Sequence, residues 1–239
     1  MTTDLAGDLT AIREATDGLL AAVGKLDDAA LGEPSRLPGW TRGHVLAHLA
    51  RNADALVNLF TAARTDTVVP MYPSEEARDA DIERDATRPL AVQLDDLAVT
   101  ASRFNDAAAA LNPEAWSRRV AVRGGVTEIA SRIPFRRLAE VELHHVDLGI
   151  GRTVEGLPAD FVEAELAFLA GGRFAGHEDV PALLLRTAGG RALRTGREGG
   201  EPAEITGSAA ALVGWLTGRT DGSGLDAGGS ALPVLPPLG

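Results

Sequence analysis

The chain has no cysteine among its 239 residues. That excludes disulfides, thiolate metal ligands and a protein thiol nucleophile together, so any sulfur chemistry must be brought by a small molecule. Positive charge is also scarce: 23 Lys and Arg against 34 Asp and Glu leave a formal charge of −11. A phosphate backbone would be repelled, and aromatics, only 4% of the residues, nowhere interleave with a basic stripe. Nucleic acid is therefore not expected as a partner. No apolar run approaches the roughly 20 residues needed to cross a bilayer. The start, Met1-Thr-Thr-Asp-Leu5, lacks the basic and apolar regions of a signal peptide. These absences predict a soluble, cytoplasmic protein with no membrane partner. Serine-nucleophile elbows and phosphate-binding glycine loops are missing too, and Gly149-Ile-Gly151 follows a helix and not the strand that a dinucleotide fingerprint requires.

A hydrophobic fraction of 45% supports an ordinary core, in one large or two modest domains. From Leu5 to Leu26, Leu5, Leu9, Ile12, Leu19, Leu20 and Val23 recur at helical spacing. After the Gly32 to Gly39 loop, Thr41 is a plausible N-cap for a second helix running to about Ala63. Thr65 to Arg88 reads as a connection containing a short helix from Ser74 through Ile82, and Pro89 to Leu111 is helical again. Trp116 to Val122 and Val126 to Ile129 flank Gly124-Gly125, as in a small hairpin. Ile133 to Gly149 is a bounded helix with Pro134 in its first turn and Gly149 after its last. Four long amphipathic segments predict a four-helix bundle over residues 1–151. From residue 152 to 239 glycine becomes frequent and apolar runs shorten. There the sequence predicts a helix from Pro158 to Gly171, a hairpin of 182–187 with 192–195, a strand at 203–206, and a helix from Ser208 to Thr217. The fold class is thus mainly α with α+β: a four-helix bundle followed by a small α+β domain.

Chemistry-bearing residues gather on two of these helices. Glu140 and His144 stand four apart, on one helical face, and Arg136 and Asp147 extend the stripe a turn each way. Leu138, Val141 and Leu148 form an apolar face beside it, so a carboxylate and an imidazole there are expected to be buried and to need a partner, such as a metal ion. Three-ligand sites of imidazole and carboxylate leave a fourth position for water or substrate, and the second helix offers His48 or His44 as the third ligand. The bland alternative is a helical ion pair or a hydrogen-bonded core histidine, but four of the five histidines fall in these two helices. His44, near a helix start, reads as a ligand, a second-sphere group or, by preference, a surface residue. His145 points about 100° away from His144 and reads as a packing or hydrogen-bonding residue, His177 as a solvated loop residue, and Glu142 as part of a charged flank. Arg219, at the end of the last helix, either binds an anion or complements the helix dipole.

Three stretches carry a resemblance. Gly39-Trp-Thr-Arg-Gly-His-Val-Leu-Ala-His48-Leu-Ala-Arg-Asn52, Pro70-Met-Tyr-Pro-Ser-Glu-Glu-Ala-Arg78 and Arg137-Leu-Ala-Glu140-Val-Glu-Leu-His144-His-Val-Asp-Leu-Gly149 resemble the mycothiol-dependent maleylpyruvate isomerases, within the wider group of DinB-like metal-binding four-helix bundles. The resemblance implies a divalent metal, usually zinc, on His48, Glu140 and His144. It also implies a functional arginine at Arg219, within Gly218-Arg219-Thr-Asp-Gly222; Arg219, with Arg78 or Arg136, is expected to steady carboxylates of substrate or cofactor. The implied chemistry is addition of a metal-activated mycothiol sulfur to the cis double bond of maleylpyruvate, rotation, and elimination to fumarylpyruvate. The expected partners are that small-molecule substrate and thiol cofactor, with the chain a monomer. A mycothiol S-transferase and a non-catalytic ligand carrier are the alternatives.

Overall fold

The structure is a computed structural model that describes residues 4–238. It divides into two compact units, Met1–Ile150 and Gly151–Gly239. The first is a bundle of long helices, α1 (Leu5–Val23), α3 (Arg42–Thr65), α5 (Leu90–Ala109) and α7 (Ile133–Asp147), with the shorter α2 (Asp28–Leu31), α4 (Glu75–Ala86) and α6 (Pro113–Trp116) between them. Among the described residues no helix is long and apolar enough to cross a membrane.

The central element is α3, which packs against α4, α5 and α7. Thr41 starts it with extended backbone and a side chain that accepts from the His44 N–H. Its apolar side chains Leu46 and Leu49 join Leu19 and Val23 of α1, Leu97 of α5 and Val141 of α7 in a continuous core. A fully buried leucine of this kind contributes about 1.5 to 3 kcal/mol. Further along α3, Phe60 sits between Phe104 at 5.1 Å and Trp116 at 5.4 Å, centroid to centroid, tying the far end of the bundle to α5 and α6. The predicted hairpin is present as β1 (Arg119–Ala121) and β2 (Thr127–Ile129), antiparallel, with Val120 opposite Glu128. Its connection holds Gly124 at φ 80° and Gly125 at φ 75°, a left-handed region that side chains disfavour.

The short α4 is attached differently. Its buried residues are Ile82, Asp85 and Ala86, and the apolar pair meets Ala47 and Trp40. Two small apolar contacts do little against an ordering cost of about 1 to 2 kcal/mol for each of its residues, so polar contacts bear much of the docking. Asp85, 1% exposed, receives Arg51 of α3 at 2.7 Å, Arg84 at 2.8 Å and Arg88 at 2.6 Å. Arg51 reaches on to Asp96 of α5 at 2.8 Å, so this arginine joins α3 to both α4 and α5.

In the second unit α8 (Ala159–Phe168) widens into a π turn over Leu169–Arg173. A three-stranded sheet follows in the order β4-β3-β5. Here β3 (Leu183–Thr187) runs antiparallel to β4 (Ala192–Thr195) and parallel to β5 (Ala203–Gly207), so that Leu185 lies opposite both Leu193 and Ile205. The helix α9 (Ala209–Leu216), capped by Ser208, packs on α8 and on the sheet. The inward face consists of Leu183, Leu185, Ile205, Leu212 and Val213, each at most 1% exposed.

Two expectations are corrected. Glu142 is not part of a charged flank: it is 3% exposed and inside the protein. His44 is not a surface residue, since its side chain is only 15% exposed. Its Nδ1 accepts from the Thr41 N–H at 3.2 Å, completing a reciprocal cap in which histidine takes the place of the usual Glu or Gln. Its ring stacks on Trp40 at 6.2 Å, and Nε2 meets Glu83 of α4 at 3.3 Å.

Candidate metal centre

The second turn of α3 aims His48 at α7, and α7 returns Glu140 and His144 from adjacent turns of one face. His48 Nε2 lies 3.1 Å from Glu140 Oε2, and His144 Nε2 lies 3.3 Å from the same oxygen. The two imidazoles meet edge to face at 4.7 Å between ring centroids. One ligand-capable atom from each residue falls within 4.8 Å of the others, and among the described residues this is the one group of three or more such side chains. His44, engaged in its cap, is not in it.

The rings are held in place from behind. His144 Nδ1 donates to Asp147 Oδ2 at 2.8 Å, and Asp147 is 1% exposed. A carboxylate behind an imidazole fixes ring and tautomer and turns Nε2 outward as a donor atom, the usual arrangement behind a metal-bound histidine. Trp40 packs on His48 at 5.5 Å. His48 Nδ1 accepts from Arg78 Nη2 of α4 at 3.3 Å, which leaves Nε2 to carry the ring proton and donate to Glu140.

Charge follows from these contacts. Burial by itself would raise the Glu140 carboxyl, but the hydrogen bonds from His144 and His48 hold it well below its usual range. Burial lowers His48 below the ordinary imidazole value, and its bond to Glu140 only partly opposes this. In His144 burial again acts to lower, but the Asp147 and Glu140 hydrogen bonds outweigh it and the value is raised. Both Nε2 atoms thus converge on one ionised carboxylate oxygen. Two imidazole nitrogens and a carboxylate oxygen facing one point are a donor set that a divalent cation placed between them would satisfy.

Around the triad, Tyr72 from the Met-Tyr-Pro-Ser loop lies beneath the Arg78 guanidinium at 5.8 Å. Burial, then the nearby Glu140 charge, raises its phenol. Tyr72 and Arg78 share with Asn58, Asp54 and Met71 a cleft of about 210 Å³.

The other sequence-nominated residues are placed as follows. Arg136 turns to the hairpin, its Nε donating to Glu128 at 2.7 Å. His145 is buried within α7. Arg219 belongs to the second unit, half-buried in the turn after α9, its N–H bonded to the Gly214 carbonyl at 2.8 Å. Two residues escaped the sequence reading. Asp147 was visible there only as an extension of the stripe. Arg137 is 1% exposed, although an arginine on a helix is ordinarily solvated.

Residues 12–149 match the family profile described as the mycothiol maleylpyruvate isomerase N-terminal domain, and residues 156–237 match its C-terminal domain. A crystal structure of the mycothiol-dependent maleylpyruvate isomerase is similar over 99% of this chain and 100% of its own, at 30% identity and a TM-score of 0.87. A histidine-to-alanine variant of that isomerase, over the same shares and at the same identity, gives 0.86. A putative metal-dependent hydrolase of Geobacillus thermodenitrificans (strain NG80-2) is 36% identical over 97 residues, 38% of this chain and 53% of the hydrolase. The chain thus spans about half the length of that curated relative. The two profile matches and the two solved structures agree on one family along the chain: it belongs to the mycothiol maleylpyruvate isomerases.

Proposed function

We propose that the protein is a metal-dependent cis-trans isomerase that uses mycothiol to convert maleylpyruvate into fumarylpyruvate. The observation that carries this reading is the convergence of His48, Glu140 and His144 within 4.8 Å, in a chain that has no thiol of its own. Two imidazoles and one carboxylate are a donor set suited to zinc, with one position left for an outside group. Held by these three residues, a divalent cation would lower the pKa of a bound thiol, and the thiolate would supply reversible addition to the cis double bond, rotation about the resulting single bond, and elimination to the trans isomer.

His48 and His144 would contribute neutral Nε2 lone pairs and Glu140 a charged oxygen. Asp147 keeps the His144 proton on Nδ1. With His48 Nε2 as a ligand its proton would reside on Nδ1, which would then no longer accept from Arg78. Arg78 already lines the cleft it shares with Tyr72, and freed from His48 its donors would suit a carboxylate of the substrate. Arg219, in the second unit, is proposed from its family motif as an anion-binding arginine. Arg136, whose Nε is paired with Glu128, is a further group proposed for a carboxylate.

Maleylpyruvate mixed with the zinc-loaded protein and mycothiol should change its ultraviolet spectrum to that of the trans isomer, and no change should occur when the thiol is left out. Conjugation of a model electrophile to mycothiol, with no isomerisation of maleylpyruvate, would instead make the protein a transferase.

A further inference from the structure

We propose that Arg137 is a positioning residue: with Asn52 it bolts α7 to α3 one turn from the three convergent side chains and so sets the distance between His48 and the Glu140-His144 pair. The inference rests on the metal-ligand reading above.

The candidate centre is split between two helices, with one ligand on α3 and two on α7. A metal site tolerates errors of only about 0.2 Å in its ligand distances. Apolar packing alone adapts to larger shifts, because helix separations vary over about 8 to 10 Å with the side chains between them. Something directional is needed at that level; Arg42 of α3 bonds the Leu148 carbonyl at the far end of α7 at 3.0 Å, and Arg137 supplies such a link beside the ligands. Arg137 Nη1 donates to the backbone carbonyl of Leu49 and to Asn52 Oδ1, both at 2.8 Å. Leu49 is the residue after His48, Asn52 lies four beyond His48, and Arg137 lies three before Glu140. The bolt therefore sits one turn from the ligands on both helices.

Burial argues that this is more than filling. Arg137 is 1% exposed and Asn52 is 4% exposed. Burial pushes the guanidinium down to about 10, against the pull of the Glu140 charge, so it is still a cation at neutral pH. No carboxylate appears among its hydrogen-bond partners, and its Nε has no partner among the described residues. A leucine or methionine would fill the volume without the cost of desolvating a charge. What the guanidinium adds is a rigid planar fork with fixed donor directions, spanning from one ligand-bearing helix to the other.

The test uses the full-length protein and measures zinc affinity by chelator competition, and the visible absorption of the cobalt-substituted form. Asn52→Leu removes the acceptor while keeping the volume, Asn52→Asp restores an acceptor, and Arg137→Met removes the donor. Gln93→Leu serves as control, because Gln93 is equally buried and hydrogen-bonded to the Ala86 and Arg88 carbonyls but joins no ligand-bearing helices. Asn52→Leu should weaken zinc binding by roughly 10- to 100-fold, the range for groups that orient metal ligands, and change the cobalt spectrum. Asn52→Asp should recover both, and the control should lose thermal stability with zinc affinity intact. If Arg137→Met does not fold, the Asn52 pair decides. Asn52→Leu protein that is less stable but binds zinc and cobalt as the wild type does would overturn the inference. Wild-type protein that takes up neither ion would overturn the ligand reading, and this inference with it.

Discussion

Two helices, α7 and α4, each bring side chains up to His48, and they are held by opposite means. The helix α7 is set into the core by Ile133, Leu138, Val141 and Val146, is bolted to α3 through Arg137, and presents Glu140 and His144 from a rigid frame. The helix α4 has little apolar surface to bury and is latched through Asp85 and its arginines, so Arg78 rides on an electrostatic attachment. Groups that must meet within tenths of an ångström stand on the packed helix. Arg78, which contacts His48 from the other side, stands on the latched one.

The largest effect expected from this contrast is at the latch. Asp85→Ala leaves Arg51, Arg84 and Arg88 facing one another around a vacated, buried position. Removing one partner of a buried ion pair costs about 3 kcal/mol or more. Urea unfolding of the metal-free protein should show a loss of that size, while zinc affinity of the folded variant stays close to wild type because no ligand stands on α4. Equal losses in both measurements would erase the distinction between the helices.

A smaller effect concerns pH at α7. Metal binding needs His144 neutral, and its raised value makes the proton a stronger competitor. Zinc affinity should therefore begin to fall with decreasing pH at a midpoint above 6.5, the ordinary imidazole value, by up to about tenfold per pH unit. In the metal-free protein the two charged partners act on stability in opposite senses. The contribution of His144 is complete below pH 6.5 and is lost as pH rises through its folded value. The contribution of Glu140 is present at neutral pH and is lost as pH falls through its depressed value. Proton titration of the two imidazoles by NMR would separate His144, raised, from His48, lowered; a reversed order would contradict the account.

How much of this was legible in the sequence depended on periodicity. Helical spacing located α1, α3, α5 and α7, the Gly-Gly pair located the hairpin, and Thr41 and Ser208 stand as caps where their residue type suggested. The Glu140-His144 face was readable because four residues make one turn. The choice between His44 and His48 was not, because both lie on one stripe of α3. It is the reciprocal cap at Thr41, a Thr-x-x-His spacing, that occupies His44. Spacing gives a residue's direction and not what covers it, which is why Glu142 was misjudged and why a buried Arg137 could not be anticipated. Arg219 follows Gly218, whose φ of 71° breaks the helical period, and its position alone left two readings that only the family motif weighed toward a site.

The central claim is that His48, Glu140 and His144 are the ligands of one catalytic cation, and metal stoichiometry measures it directly. Purified wild-type protein dialysed against limiting zinc should retain close to one equivalent, and His48→Ala, Glu140→Ala and His144→Ala should each retain almost none while keeping the helical circular dichroism of the fold. Wild-type protein that binds no zinc, or alanine variants that bind it as tightly as the wild type, would contradict the account.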